Sequence, residues 1–196
     1  MNRLDKFVAA FGAWEEARPY LYLMVNELEM NLIIAMGGKA ITVGEAADLL
    51  EVNRAEAADL LTRCYSRGIL NKTLENGSTV YSPADFGSLV DHFAKYENWD
   101  DIPAAARKTI NRRFLGEFIA RHRPSVEQKK DGLAAGNALP NDTVMLLSEI
   151  EDMLDAATHI VVQPCDCRRL GQNCERPIET CIWMDEGALE ALDRGH

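Results

Sequence analysis

Four of the five cysteines, Cys165, Cys167, Cys174 and Cys181, stand together near the C-terminal end of the chain at the spacing Cys-x-Cys-x6-Cys-x6-Cys. Thiolates are soft ligands, and four of them suit an iron–sulfur cluster or tetrahedral zinc. A cubane has four iron corners, so a close pair followed by two wider steps can wrap around it. Zinc more often takes two Cys-x2-Cys knuckles, which this chain lacks. Disulfides are the third reading, disfavoured in an intracellular protein. The neighbours suit a cluster. Pro164 and Pro177 limit the backbone beside the ligands, and Gly171 permits a tight bend. Arg168 and Arg169 bring positive charge to a negatively charged site, while Ile178, Ile182 and Trp183 offer an apolar wall against water. The expected cofactor is a [4Fe–4S] cluster on the four cysteines, with zinc as the alternative. Cys64 stands alone in a helical pattern and reads as a small core residue.

The runs Pro164-Cys165-Asp166-Cys167-Arg168, then Cys174, then Pro177-Ile178-Glu179-Thr180-Cys181-Ile182 carry a resemblance. They are similar to the Pro-Cys-x-Cys-Arg…Cys…Pro-x-Glu-x-Cys-Leu pattern of 4Fe–4S binding proteins of anaerobic bacteria and archaea that bear the ferredoxin name. The match covers Gln163 to Trp183, and helices precede it in those proteins too. The resemblance implies a cluster on Cys165, Cys167, Cys174 and Cys181. Longer members continue into further helices and sometimes a second ferredoxin module, whose cysteines are absent here. The sequence therefore resembles a short or truncated member.

The elements that must position these residues come next. Leu4, Phe7, Val8, Phe11 and Trp14 follow helical spacing and predict a helix from Arg3 to Arg18. A second helix is expected from Pro19 to Met36, stopping at Gly37-Gly38. Thr42…Glu45 and Asn53…Glu56 are capping boxes that open two helices, to Leu50 and to Gly68. Two strands around Glu75-Asn76-Gly77-Ser78 carry a hairpin signal. Helix, short helix, second helix and hairpin resemble a winged-helix domain over Leu21 to Tyr96. Ala104 to Arg123 predicts a helix closed by Pro124, then an irregular stretch to Asp142, which would cap a helix from Thr143 to Ala157. His159 to Gln163 predicts a short strand leading to the first cysteine. The fold expected is mainly α: a winged helix-turn-helix domain over 1–97 with N-terminal helices and a small β-hairpin wing. A linker, basic helix and loop over 98–142 follow, and then a helical part over 143–196 with the C-terminal four-cysteine loop.

A net charge of −10 and a pI near 4.9 disfavour extended phosphate contact by the chain as a whole. The presumed recognition helix sets Arg54, Arg63 and Arg67 against Glu56 and Asp59, which makes DNA conceivable but not favoured. The segment from Ala104 to Lys130 is basic. Arg107, Lys108, Arg112 and Arg113 lead it, with apolar residues interleaved. It reads as a solvated face over a core stripe, as a phosphate-binding face, or as a face for an acidic protein partner. No apolar run is long enough to cross a membrane, and the start lacks a signal-peptide pattern, so a cytoplasmic protein is expected. No nucleotide loop, hydrolase His-Glu pair or nucleophile–base arrangement is present, and an enzyme is not expected. The function expected is single-electron transfer with a protein partner in an anaerobic cytoplasm. The alternatives are a cluster-sensing winged-helix regulator and a zinc-stabilised interaction module.

Overall fold

Side-chain capping sets the start of five of the ten α-helices in the computed structural model, which describes residues 2–134, 146–171 and 175–196. α1 (Arg3–Phe11) opens on Asn2, whose side chain accepts from the Asp5 amide at 2.8 Å. It stops well before Arg18 because Gly12 turns left-handed, at φ 67. The single helix expected from Pro19 to Met36 is broken. A 3₁₀ turn (Arg18–Tyr20) and α2 (Leu21–Met24) come first. Asn26 then starts α3 (Glu27–Met36) by accepting from the Leu28 and Glu29 amides, while the Glu29 carboxylate accepts from the Asn26 amide at 2.9 Å.

Both expected capping boxes form. They open α4 (Val43–Leu50) on Thr42 and α5 (Arg54–Ser66) on Asn53. β1 (Leu70–Glu75) and β2 (Ser78–Pro83) pair antiparallel around Asn76 and Gly77, both at positive φ as a tight hairpin turn requires. Ile41 adds a bridge to Tyr81, each amide donating to the other carbonyl at 2.8 Å. α6 (Phe86–Tyr96) starts on Asp85 and runs against the α5–β1 turn. That turn needs Gly68: its φ is +68, and a Cβ there would lie 2.7 Å from the Ser88 carbonyl oxygen. The core holds Phe7, Leu21, Leu61, Leu89, Phe93 and Trp99, with Trp14 meeting Phe86 edge-on at 5.2 Å. Arg67 closes the floor of this half. It donates to Glu29 at 2.5 Å, to both Glu97 oxygens at 2.8 and 2.7 Å, and to the Met24 carbonyl at 2.7 Å.

α7 (Ala104–Ala134) runs through Pro124 instead of ending there. Proline removes one helical donor and costs about 3 kcal/mol in a helix interior. Every residue from Phe118 to Pro124 is exposed, so water can satisfy the freed Ala120 carbonyl. The later part of the expected irregular stretch and the Asp142 cap lie outside the described residues. α8 (Leu147–Ala156) is followed by β3 (Ile160–Pro164), α9 (Asp166–Gly171), β4 (Glu179–Met184) and α10 (Glu186–Arg194). β3 lies one residue later than expected, and β4, α9 and α10 were not anticipated. β3 and β4 make a second antiparallel hairpin, so the chain is mainly helical with two small hairpins.

The C-terminal elements pack on the first half. Leu170 of α9 joins the main core. The Tyr65 hydroxyl donates to Asp193 at 2.8 Å, and Arg194 donates to the Tyr65 carbonyl at 2.7 Å while lying over its ring. Lys72 of β1 pairs with Asp193.

Candidate metal centre

The hairpin of β3 and β4 brings two distant cysteines together. Gln163 pairs with Cys181, and the register then breaks at Pro164, which has no amide proton to donate. The break turns the chain into α9. The Cys165 amide donates to the Ile178 carbonyl at 2.7 Å, and its own carbonyl accepts from the Arg169 amide at 3.0 Å. Cys165 is thereby held at both ends of its peptide unit. One potential ligand atom each from Cys165, Asp166 and Cys181 lies within 4.8 Å of the other two. Cys167 sits on the first turn of α9 and is exposed. Its thiol is pushed up to about 11 by burial first, then by Asp166, Cys165 and Cys181. Burial, followed by its hydrogen bond with Cys165, also pushes up the Cys181 thiol. Thiols and a carboxylate this close repel one another when ionised, and a metal cation that takes the place of the protons offsets that repulsion with its own charge. The donor set therefore fits a thiophilic metal centre.

Of the four expected ligands, Cys165 and Cys181 are brought side by side, Cys167 adjoins them, and Cys174 lies outside the described residues. Asp166 was missed as a neighbour of the sulfurs. Its position between Cys165 and Cys167 in the chain was the available signal.

Two arginines brace the loop. Arg168 donates to the Pro177 carbonyl and so ties α9 to the segment entering β4. Arg169 donates to the Ala94 carbonyl and to Asp100, each at 2.8 Å. Burial would raise the Asp100 carboxyl, but hydrogen bonds from Arg169 and Arg107 hold it below the usual carboxylate range. Asp100, read from sequence as part of a linker, is thus an anchor for the metal loop. Lys95, paired with Asp91 at 2.6 Å, partly offsets the negative surroundings of Cys181.

The expected apolar wall does not close over the sulfurs. Alternate residues of a strand face opposite ways. Ile182 pairs with Val162 on the face away from Cys181, and the two are 50% and 58% exposed. Trp183 is instead set against α10, where a Cβ on Gly187 would come within 2.8 Å of its ring.

The basic residues are divided. Arg107 pairs with Asp100, and Arg113 with Glu117 at 2.9 Å. Lys108 and Arg112 hold no ion pair among the described residues. Arg67, just past the end of α5, does not present itself to a groove, because Glu29 and Glu97 hold it half-buried. The exposed face keeps Arg54 and Arg63 against Glu56 and Asp59, which leaves no net charge. Lys72 of the first hairpin is engaged by Asp193.

Cys64 is fully buried, and burial pushes its thiol up to about 12. The thiolate is the reactive form. The Cys167 thiol is raised as well, so accessibility separates the two: in native, metal-free protein at mildly alkaline pH, buried Cys64 is expected to stay unlabelled by iodoacetamide while exposed Cys167 reacts slowly. Mass mapping after labelling reads this directly, and Cys64 modification at a comparable rate would contradict the packing.

The chain matches no family model, no curated protein and no solved structure. No helix among the described residues is long and apolar enough to cross a membrane.

Proposed function

We propose that this chain is an iron–sulfur protein that passes single electrons to and from a protein partner, with a [4Fe–4S] cluster on Cys165, Cys167, Cys174 and Cys181. The observation that carries this reading is the convergence of Cys165 and Cys181 at the hairpin end, with Cys167 on the adjoining helical turn. A four-thiolate set fills the protein ligand positions of a cubane and leaves electron transfer as its chemistry. The exposure of Cys167 sets the rim of the site at the surface, where electrons can leave. Val162 and Ile182 supply an exposed apolar patch on the opposite face of the same hairpin, open to a docking partner. The order α3, Ile41 bridge, α4, α5, β1, β2 supports the winged-helix reading. With α5 charge-balanced on its exposed face, the winged helix serves as the scaffold that holds the metal loop through Arg169 and Leu170.

A second reading is favoured by Asp166. An oxygen donor beside two sulfurs suits tetrahedral zinc, and the module would then be structural. Anaerobic purification separates the two. The cluster reading expects brown protein, absorbance near 400 nm that dithionite bleaches reversibly, and about four irons and four sulfides per chain. Colourless protein holding about one zinc per chain overturns it.

A further inference from the structure

α7 is 31 residues long, which at helical rise is about 46 Å. Its beginning is anchored: Ile110 is fully buried and Phe114 packs on the core. Beyond that point it carries an apolar stripe that stays about half exposed among the described residues. Leu115, Phe118 and Ile119 are each about half exposed, at the i, i+3, i+4 spacing that puts them on one face. Arg112 and Arg123 continue along the edge of this stripe, one turn before Leu115 and one turn after Ile119. Both are exposed, and neither holds an ion pair among the described residues.

α8 has the same design with opposite charge. Every residue from Leu146 to Met153 is exposed. Leu147 is 72% exposed and Ile150 42%, again one helical face. Glu151 and Asp155 border that face one and two turns after Leu147. Ten residues of helix with no fully buried side chain, Leu154 alone being half-buried, are marginal in water. An apolar stripe on each helix, one with a basic border and one with an acidic border, makes the two complementary to each other. In the single chain both stripes are open, so neither covers the other.

We infer that two copies of this chain associate by laying α8 of each copy against α7 of the other, apolar stripe on stripe, with Arg112 and Arg123 facing Glu151 and Asp155. This surface is independent of the metal centre and of the electron-transfer reading. It assigns part of the basic face to an acidic segment of a second copy and not to phosphate.

Charge reversal tests it on the full chain. One variant carries Arg112→Glu and Arg123→Glu; a second carries Glu151→Lys and Asp155→Lys. All four side chains are exposed, so both variants are expected to fold. By sedimentation at tens of micromolar, the wild type is expected to be dimeric and each variant alone at least tenfold weaker in association. Mixed in equal amounts, the two variants restore a heterodimer, because each reversed α7 then meets a reversed α8. A monomeric wild type overturns the inference. So do variants that stay dimeric alone, and a mixture that stays monomeric, which would mean that α7 and α8 do not face each other across the dimer. Binding of a DNA duplex by the wild type with no change in dimer content on charge reversal would assign the basic face to phosphate instead.

Discussion

Cys181→Ser is expected to leave anaerobically purified protein colourless, with little iron per chain, because losing even an outer-shell partner weakens metal affinity about 10–100-fold. The serine removes one of the two sulfurs that the β3–β4 hairpin brings together. Replacing a soft thiolate by a hydroxyl also removes the ligand type that holds iron in a cluster. Far-UV circular dichroism should change little, because the core built on Phe7, Leu61, Phe93 and Trp99 does not include Cys181. Cys64→Ala is the matched control: it removes a buried thiol remote from the site and should keep the colour. Asp166→Asn decides between the two metal readings. With a cubane on four thiolates the absorbance survives. With zinc on Cys165, Asp166 and Cys181, metal content falls as it does for Cys181→Ser. Retention of full colour by Cys181→Ser would remove this residue from the ligand set, and the proposed centre with it.

What the sequence revealed of this site depended on the range of the signal. Thr42 with Glu45, Asn53 with Glu56, and Asn76-Gly77 are local devices, and each formed as expected. Asn26 with Glu29 is the same device and was equally visible, but the apolar run around it suggested one continuous helix. Pro124 shows the reverse error. Its local rule is sound, yet an exposed helix position tolerates the lost donor. The cysteine spacing announced a metal site but not its architecture. The pairing of Gln163 with Cys181 is a long-range contact, and neither strand shows the alternation of a half-buried strand, because both are largely exposed. Arg67 is the sharpest case. On the helix pattern of α5 it extends the series of Arg54 and Arg63. Its fate is decided by Glu29 and Glu97, each at least thirty residues away, and no local pattern announces them.

That burial of Arg67 carries the largest stability effect expected in the molecule. Glu29 is 2% exposed, and Arg67 is its cationic partner among the described residues. Arg67→Ala leaves the Glu29 carboxylate in the core without its cationic partner, held only by the Asn26 amide, and also frees the Met24 carbonyl. Removing one partner of a buried pair costs about 3–5 kcal/mol, although the intact pair is worth far less against well-packed apolar residues. Urea unfolding at pH 7 should therefore show a loss of about 3 kcal/mol or more. Adding Glu29→Gln to Arg67→Ala should recover part of it, because the buried charge is then gone. The pH dependence has a definite sign. Burial would raise the Glu97 carboxyl, but hydrogen bonds from His92 and Arg67 outweigh it and hold the group below its ordinary value. A carboxyl depressed in the folded state adds stability above its unfolded pKa, about 4.3, and loses it as pH falls through the folded value. The wild type should lose this share in acid, and Arg67→Ala should have less of it to lose. The gap between the two proteins should narrow below about pH 4. A loss under about 1 kcal/mol at pH 7, typical of a surface pair, would mean that Arg67 is a solvated cation after all. It would then return to the exposed face of α5, and with it the case for that helix meeting DNA.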